Sequence, residues 1–344
     1  MSIEITLPLS DRILGVISRM DQFRGIWSTG TGVSTDRLAE LASAARIQSI
    51  AASCRLSGIR LSASEVTQYL ASAGDSPTNA GAVRDYSAAM DFRFPDEDRL
   101  LGREDLVRIN RVVVGEHTNA GTWRTTPSHC EAFDSEGHAT GRIIQLLPPR
   151  LIPEKLEDLL TWFECEMRSG ERHAVPVIGA FILGLMAISP FEFANGRTVR
   201  VLTRRLMIRA GYAYMPYSSI EWEMEGLRDV YYDAFDQSQP GLWNGTAEIG
   251  PWLEYFTTVL DRHRERVASK IDLERGAAGL SPLQQAILEA VREHGTVDAG
   301  LLIRATGANR NTLKDNLRRM VDRGLLEKTG QRRTTRYSLG AEAG

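Results

Sequence analysis

An uncharged apolar segment at residues 174–191, AVPVIGAFILGLMAISPF, constrains the fold of this chain more than any other feature. Its length lies at the lower limit for a membrane-spanning helix. Pro176 interrupts the segment near its start, and polar and charged residues follow it directly. A helix that is apolar on all sides is buried in its surroundings. We therefore expect a helix enclosed at the centre of a soluble domain, with a membrane span as the alternative.

Composition narrows the class of protein. The chain has 344 residues, 42% of them hydrophobic, which suits two or three ordinary domains and excludes a disordered or collagen-like chain. Its 41 Lys and Arg against 44 Asp and Glu give a net charge of −3. Such a balance argues against a protein that binds nucleic acid or an anionic membrane over its whole surface.

Cysteine usage and the N-terminal sequence both favour a cytoplasmic location. Cys54, Cys130 and Cys165 are odd in number and far apart, so they form neither a disulfide framework nor a CxxC zinc pattern. Glu4 and Asp11 lie where a secretory signal needs a basic start and an apolar run. We expect no export signal and no membrane partner.

Hydrophobic periodicity predicts a mainly α fold. A hairpin is expected between residues 115 and 149, where glycines and short β-prone runs cluster. The sequence GAAG at 276–279 is typical of a linker, and a Ser-Pro-x-Gln helix start follows it at Ser281. The predicted helices cover residues 37–56 (after the start signal Ser34-Thr35-Asp36), 62–74, 82–92, 104–113, 154–167, 174–191, 197–211, 225–237, 249–275, 282–294, 298–305 and 310–323.

The loop SPFEFANGRTVR, residues 189–200, joins the apolar helix to a basic one. A helix that begins in a turn of small residues presents unpaired N–H groups and a positive dipole end, which suit a phosphate. Arg197 and Arg200, three residues apart in the first turn, would add charge-assisted contacts. The alternative is a structural turn whose arginines pair with carboxylates elsewhere.

This loop resembles the signature motif of the Fic (Fic/Doc) family, HPFx[DE]GNGRxxR. NAGTWRTTP at 119–127, which contains Thr122, Trp123 and Arg124, resembles the family's substrate-docking flap. DVYYDAF at 229–235, with Tyr232, resembles the aromatic helix that packs the nucleotide base. SIAASCRLSGIRLS at 49–62 resembles the inhibitory helix. The resemblance implies an N-terminal helical region at 1–104 and a Fic-fold core at 105–275.

Active members of the family transfer AMP from Mg-ATP to a protein hydroxyl. Here the family's catalytic histidine falls on Ser189, and a neutral hydroxyl cannot act as a general base near pH 7. The metal-binding acid falls on Phe193, which offers no oxygen to Mg²⁺. The first glycine of GNG falls on Ala194, and the inhibitory glutamate falls on Ser57. These departures imply a pseudoenzyme with weak or absent Mg²⁺ binding.

The phosphate-cradling part of the motif is retained in Asn195, Gly196, Arg197 and Arg200. ATP or another nucleotide therefore remains an expected ligand. Glu192, His129 and His173 are the candidates that could replace the lost acid or base, and we interpret them as structural or surface residues.

Residues 276–344 resemble a winged helix-turn-helix domain. Between residues 304 and 336 there are ten basic and three acidic residues, a local charge of +7, whereas the rest of the chain has 31 basic and 41 acidic residues, a charge of −10. A basic recognition helix and wing are typical of DNA binding, and a solvated basic face is the alternative. The expected DNA contacts are Asn311, Lys314, Arg318, Arg332 and Arg333.

We interpret the chain as a cytoplasmic DNA-binding transcription regulator built on a catalytically inactive Fic-like domain. That domain would sense a nucleotide or a phosphorylated ligand, form a homodimer, or bind a protein partner on its flap. The alternative is an active Fic-type nucleotidyltransferase, a protein adenylyltransferase (AMPylation) or a related enzyme, with an unusual site. A third interpretation is a scaffold that binds the target of an active relative.

Overall fold

The computed structural model describes residues 5–71, 80–94, 101–133, 138–278, 280–330 and 335–340. The chain divides into two compact units. The first consists of Met1–Ser28 and Leu41–Arg264, and the second of Thr29–Glu40 and Glu265–Gly344.

Most of the first unit is helical, and two of its helices also contribute residues to the second. Its helices are α1 (Asp11–Ser28), α2 (Thr35–Arg55), α3 (Ala63–Ala71), α4 (Ala80–Met90), α5 (Arg103–Val114), α6 (Ile152–Ser169), α7 (Ala174–Ile188), α8 (Asn195–Arg209), α9 (Ile220–Gly226), α10 (Arg228–Ser238) and α11 (Gly250–Ala278), with short 3-10 turns at Pro149–Leu151 and Met215–Tyr217.

Helix α7 is the buried helix that the apolar segment predicts. Its side chains are enclosed on every face, and the ring of Phe181 stacks on Phe163 with centroids 4.2 Å apart. Two of its glycines allow close packing: a Cβ on Gly179 would lie 2.9 Å from Phe256, and one on Gly184 would lie 2.8 Å from Leu159. No helix in the described ranges has the length and apolarity that a bilayer span requires.

The predicted hairpin is present as strands β1 (His129–Phe133) and β2 (Ala139–Gln145), which pair antiparallel. Arg142 on β2 forms ion pairs with Asp233 and Asp236 of α10, and Gln239 donates to the carbonyl of Gln145 over 2.8 Å. These contacts attach the hairpin to the helices behind it.

The second unit combines three short helices with a small antiparallel sheet, in strand order β3-β5-β4. Ser281 caps the first helix by accepting from the backbone N–H of Gln284, as its sequence predicts. Leu313, Leu317 and Met320 turn one face of the last helix into the core. The elements are α12 (Pro282–His294), β3 (Thr296–Val297), α13 (Ala299–Thr306), α14 (Arg310–Asp322), β4 (Leu326–Thr329) and β5 (Arg336–Leu339).

The fold is mainly α with small antiparallel hairpins, and this prediction is confirmed. Two local predictions were wrong, and one strand was missed. The single helix expected at 225–237 is broken at Leu227, which separates α9 from α10. The linker expected at 276–279 is helical through Ala278, because α11 continues into it. Finally, β3 was not predicted, since two residues carry no periodic signal.

Candidate functional site

The loop between α7 and α8 is held in an unusual backbone conformation. Ser189, which ends α7, has φ 41°, and Ala194, which caps α8, has φ 60°. They are the two non-glycine residues with positive φ in the described part of the chain. The left-handed region costs an L-residue roughly 1–2 kcal/mol. The loop therefore keeps a shape that its own sequence does not favour.

Ser189, which the sequence resemblance aligns with the family's catalytic histidine, is buried at the end of α7. It is 4% exposed, and its hydroxyl donates to the carbonyl oxygen of Met186 over 2.6 Å. Its backbone N–H donates to the carbonyl of Leu185 over 2.9 Å. The hydroxyl proton is thus used to close the end of α7. In this geometry Ser189 is a helix cap.

Phe193, which the sequence resemblance aligns with the family's metal-binding acid, lies in the loop before α8. Its ring is 43% exposed and packs edge-on against His117, with centroids 4.8 Å apart. Neighbouring Glu192 donates its backbone N–H to Thr122 and does not line the pocket described below. Among the described residues that line this pocket, the carboxylate is that of Glu131 on β1. The phenyl ring of Phe193 offers no oxygen to Mg²⁺, so a carboxylate ligand from the described lining would have to come from Glu131.

Asn195 closes the loop on itself. Its side-chain oxygen accepts from the N–H of Phe191 and its side-chain nitrogen donates to the carbonyl of Phe191, both over 2.8 Å. The first turn of α8 begins at this point. The N–H groups of a helix's first turn have no intrahelical acceptor, and the dipole makes that end positive. Asn195 therefore fixes an anion-attracting helix end next to the pocket.

Two arginines of α8 face neutral oxygens. Arg200 donates to the carbonyl and hydroxyl of Ser53 over 3.0 and 2.9 Å and to the hydroxyl of Ser57 over 2.9 Å. Arg197 donates to the carbonyl of Val113 over 3.2 Å. Neither guanidinium has a carboxylate within ion-pair distance among the described residues. Burial, and then the charge of Arg200, lower the pKa of Arg197, while Asp85 opposes them at longer range.

The pocket beside these arginines has a volume of about 320 Å³. Its lining includes the polar residues Ser57, Gly196 and Arg200, and a Cβ on Gly196 would lie 3.2 Å from the Arg200 guanidinium. It also includes aromatic residues and part of the hairpin. The aromatic residues are Tyr231, Tyr232, Trp252 and Tyr255, and the hairpin residues are Ser128, His129, Cys130 and Glu131. Anion-binding groups and flat rings thus share one cavity.

Residues of the predicted flap lie outside that lining. Trp123 forms an isolated antiparallel bridge with Phe191, and their rings stack at 4.8 Å. Arg124 is 4% exposed and donates to four carbonyls, those of Thr126, Leu147, Ile188 and Ser189. Burial lowers the pKa of its guanidinium. Thr122 is exposed. The hydrogen bonds of Arg124 to Ile188 and Ser189 stabilise the C-terminal end of α7.

Asn110 on α5 is a site residue that the sequence reasoning missed. It is 1% exposed, donates to the carbonyl of Phe193 over 2.9 Å and accepts from the N–H of Gly121 over 2.8 Å. It also donates to the hydroxyl of Thr198 over 3.1 Å. One side chain thus joins α5, the flap and the motif loop. The signal was an asparagine on the apolar stripe that Leu106, Ile109 and Val113 form.

The two histidines that could have replaced the base lie in different places. His173 caps the N-terminal end of α7 by accepting from the N–H of Val175 and pairs with Asp21 over 3.1 Å. That end is about 22 Å from Ser189 along a helix of this length. His129 is exposed and borders the pocket.

The predicted DNA contacts lie in the second unit. Asn311, Lys314 and Arg318 are exposed on α14, where Asn309 caps the helix through the N–H of Thr312. Arg318 lies 3.9 Å from Asp322 in an exposed pair. Arg332 and Arg333 lie outside the described residues.

Comparison with known proteins bears on the first unit most directly. Residues 100–207 match the Fic/DOC family model. No curated protein sequence is significantly similar to this chain. Among solved structures, a Fic family protein from Desulfovibrio desulfuricans matches with a TM-score of 0.62 at 19% identity, covering 98% of both chains.

Two further solved structures share the fold. A Fic domain-containing signalling protein from Bacteroides thetaiotaomicron has a TM-score of 0.59 at 18% identity, covering 78% of this chain and 97% of its own. Fic-1 from C. elegans has the same TM-score and identity, covering 76% of this chain and 72% of the matched chain. The loop geometry, the pocket and these matches lead to one conclusion: this chain contains a Fic/DOC family domain, at residues 100–207.

Proposed function

We propose that this protein is a DNA-binding regulator whose Fic-type domain binds a phosphate-bearing ligand without transferring any part of it. Fic proteins typically transfer nucleotide or phosphate groups. Here the domain binds such a ligand and catalyses no transfer. It acts as a homodimer, and its flap side serves as the docking face for a protein partner.

The hydroxyl of Ser189 carries the first half of the proposal. Transfer to a protein hydroxyl requires a base that removes a proton, and here the residue at that position donates its own proton to Met186. Phe193 supplies no metal ligand to assist a leaving phosphate. His129, at the pocket's border, is the one histidine among the described lining residues. Its imidazole is exposed on β1 and has no hydrogen-bond partner among the described residues to orient it as a base.

Ligand binding is supported by the groups that remain. A phosphate next to Gly196 would meet the N-terminal turn of α8 and the guanidinium of Arg200, whose partners among the described residues are neutral. Charge-assisted hydrogen bonds of this kind are about twice as strong as neutral ones. An anion would also relieve the repulsion between Arg197 and Arg200 that lowers the pKa of Arg197.

DNA binding is supported by charge and exposure in the second unit. The exposed face of α14 carries Asn311, Lys314 and Arg318 within a segment of local charge +7. Its opposite face is anchored in the core by Leu313, Leu317 and Met320. A helix of this kind beside a small sheet suits the major groove, with a wing contacting the backbone.

The proposed absence of group transfer is tested by incubating the protein with labelled ATP, CTP, GTP and UTP in the presence of Mg²⁺ or Mn²⁺. We expect no label on the protein or on proteins of a lysate. Labelling that disappears in Arg197→Ala or Asn195→Ala would overturn the proposal in favour of an active transferase.

The DNA half is tested by selecting genomic fragments on the full-length protein and measuring the affinity of the selected site against salt. We expect binding that weakens steeply as salt rises. Retention of no fragment above background, or an affinity unchanged in the double variant Lys314→Ala/Arg318→Ala, would contradict this half. Light scattering of the free protein checks the proposed dimer.

A further inference from the structure

Helix α2 contributes residues to both compact units. Its residues up to Glu40 belong to the second unit, and its residues from Leu41 onward belong to the first. Each end makes its polar contacts inside its own unit. Ser53, near the C-terminal end, contacts the pocket arginine Arg200, and Arg37, in the first turn, contacts Glu274 of the second unit.

Arg200 holds the pocket end of α2 with two of its three guanidinium nitrogens. Its Nε donates to the hydroxyl of Ser53 over 3.1 Å. Its Nη2 donates to the carbonyl and hydroxyl of Ser53 over 3.0 and 2.9 Å and to the hydroxyl of Ser57 over 2.9 Å. Nη1 is the guanidinium nitrogen nearest Gly196, since a Cβ there would lie 3.2 Å from it.

A phosphate beside Gly196 would compete with α2 for Nη2. An arginine binds phosphate through two parallel N–H···O bonds from neighbouring nitrogens, and Nη1 and Nη2 form such a pair. Hydrogen bonds from a guanidinium to an anion are stronger than those to the neutral oxygens of Ser53 and Ser57. Binding of the ligand would therefore replace the Nη2 bonds that hold the C-terminal end of α2.

Glu274 holds the other end of α2. Its side chain is 7% exposed, and its carboxylate accepts from Nε and Nη2 of Arg37 over 3.1 and 3.3 Å and from Nη2 of Arg292 over 2.8 Å. Removing one partner from a buried carboxylate strongly destabilises a protein. Arg37 therefore attaches the first turn of α2 firmly to Glu274 on α11 and, through that carboxylate, to Arg292 on α12.

Helix α12 shares a hydrophobic core with α14, the helix that carries the predicted DNA contacts. Ile287 and Leu288 of α12 lie in the same cluster as Leu313 and Leu317 of α14. The position of α14 therefore depends on the helix to which Arg37 attaches α2.

We infer that α2 transmits ligand binding in the pocket to the second unit, with Arg37 as the positioning residue, and that the ligand thereby weakens DNA binding. The inference rests on both halves of the proposed function. A ligand that loosens an element which a second ligand needs ordered lowers the affinity for that second ligand. The coupling is reciprocal, so bound DNA weakens the ligand by the same factor.

The test is a fluorescence-anisotropy titration of the full-length protein with the selected genomic site, with and without a saturating small ligand. The probes are inorganic phosphate, AMP, GMP, CMP and UMP, whose affinities for the free protein are first measured by calorimetry. We expect the tightest-binding probe to weaken DNA binding by about fivefold or more. Calorimetry in the presence of DNA should return the same factor.

Arg37→Met tests the route through α2. The quantity compared is the ratio of DNA affinities with and without the probe, which a change in stability alone does not move. We expect this ratio to fall below about twofold in Arg37→Met. Arg46→Met is the matched control, because Arg46 lies on the same helix, its side chain has the same 31% exposure, and it pairs with Asp91 in the first unit. Arg46→Met should keep the ratio of the wild-type protein.

Amide hydrogen exchange measures the loosening of α2 directly. With the probe bound, residues 49–57 should exchange faster than in the free protein. Unchanged or slower exchange in that segment would overturn the release of α2.

The outcomes distinguish the inference from the proposed function. If no probe binds the wild-type protein, the phosphate site fails, and if no genomic fragment is selected, the DNA half fails; the inference fails with either. If both bind and the probe leaves DNA affinity unchanged or raises it, the proposed function stands and the inference is wrong. Coupling that survives in Arg37→Met, or that is lost equally in Arg46→Met, would also overturn the role of Arg37.

Discussion

The guanidinium of Arg200 donates to the hydroxyl of Ser57 over 2.9 Å, across 143 residues of sequence. Ser57 in turn donates to the carbonyl of Ser53, also over 2.9 Å. The contact joins the second turn of α8 to the turn that follows α2, and it is made without a negative charge. Neutral oxygens therefore hold the arginine in place, and no carboxylate of the described residues lies within ion-pair distance of it.

Ser57→Glu should convert this contact into an ion pair and close the pocket to anions. A carboxylate beside Arg200 would compete directly with a phosphate. We expect phosphate-bearing ligands to bind at least about tenfold more weakly, with no loss of thermal stability. Calorimetric titration of the best-binding mononucleotide measures the effect. Ser57→Gln is the neutral control of equal size, and an equal loss in both variants would mean that crowding, not charge, is responsible.

Arg124→Met should destabilise the protein strongly. It leaves four carbonyls without their buried donor, among them those of Ile188 and Ser189 at the end of α7. We expect a loss of about 3 kcal/mol or more in the free energy of unfolding, measured by urea titration. Arg142→Met, which removes only surface ion pairs with Asp233 and Asp236, should cost under about 1 kcal/mol. Similar losses of unfolding free energy in the two variants would show that the hydrogen bonds of Arg124 to the end of α7 do not stabilise the fold.

Asn110→Ala should loosen the site as well as the fold. The side chain bonds the flap at Gly121, the loop at Phe193 and α8 at Thr198. We expect a loss of about 2–3 kcal/mol in unfolding free energy together with weaker nucleotide binding. Asn316→Ala, which removes one exposed bond to Thr312 on α14, is the control and should change neither quantity. Unchanged ligand affinity in Asn110→Ala would show that its role is confined to stability.

Cys130 should react slowly with iodoacetamide at neutral pH. Burial raises the pKa of its thiol to about 11, and only the thiolate is nucleophilic. The labelling rate should therefore rise about tenfold per pH unit from pH 7 upward without levelling off below pH 10. Exposed Cys165 is the internal control, and peptide mass spectrometry follows both sites. A bound nucleotide should slow labelling at Cys130 alone, and a plateau below pH 9 would contradict the burial argument.

Arg318→Ala should weaken DNA binding and reduce its salt dependence. Loss of one phosphate contact lowers the slope of log affinity against log salt by about 0.9, whereas loss of a base contact relaxes sequence preference at one position. Arg168→Ala on α6 removes the same charge from another exposed helix and should leave both quantities unchanged. Equal effects of the two variants in a fluorescence-anisotropy titration would reduce the interaction to general charge attraction.

The local features of the fold were predictable because each has a local cause. The uncharged run ahead of Ser189 predicts the buried α7, and Ser281 with Pro282 predicts the start of α12. The loop that holds Asn195 and Gly196 was recognisable as a helix start suited to an anion. Helix propensity and helix capping depend on residues a few positions apart, so both can be predicted from a single sequence.

Long-range pairings were not predictable, because no periodicity records them. Nothing in the sequence around Arg200 indicates that Ser53 is its partner, nor that Asn110 supports the carbonyl of Phe193. The break at Leu227 was missed although a local signal was present, since Gly226 directly before it weakens a helix interior.

Two positions in the motif loop, Ser189 and Ala194, hold left-handed backbone without being glycine. Each of these residues costs roughly 1–2 kcal/mol of backbone strain, and the folded protein has already met that cost. If the proposed phosphate-bearing ligand binds at the N-terminal turn of α8, it therefore meets a loop already in its strained shape, and its binding energy is not spent on forming that shape.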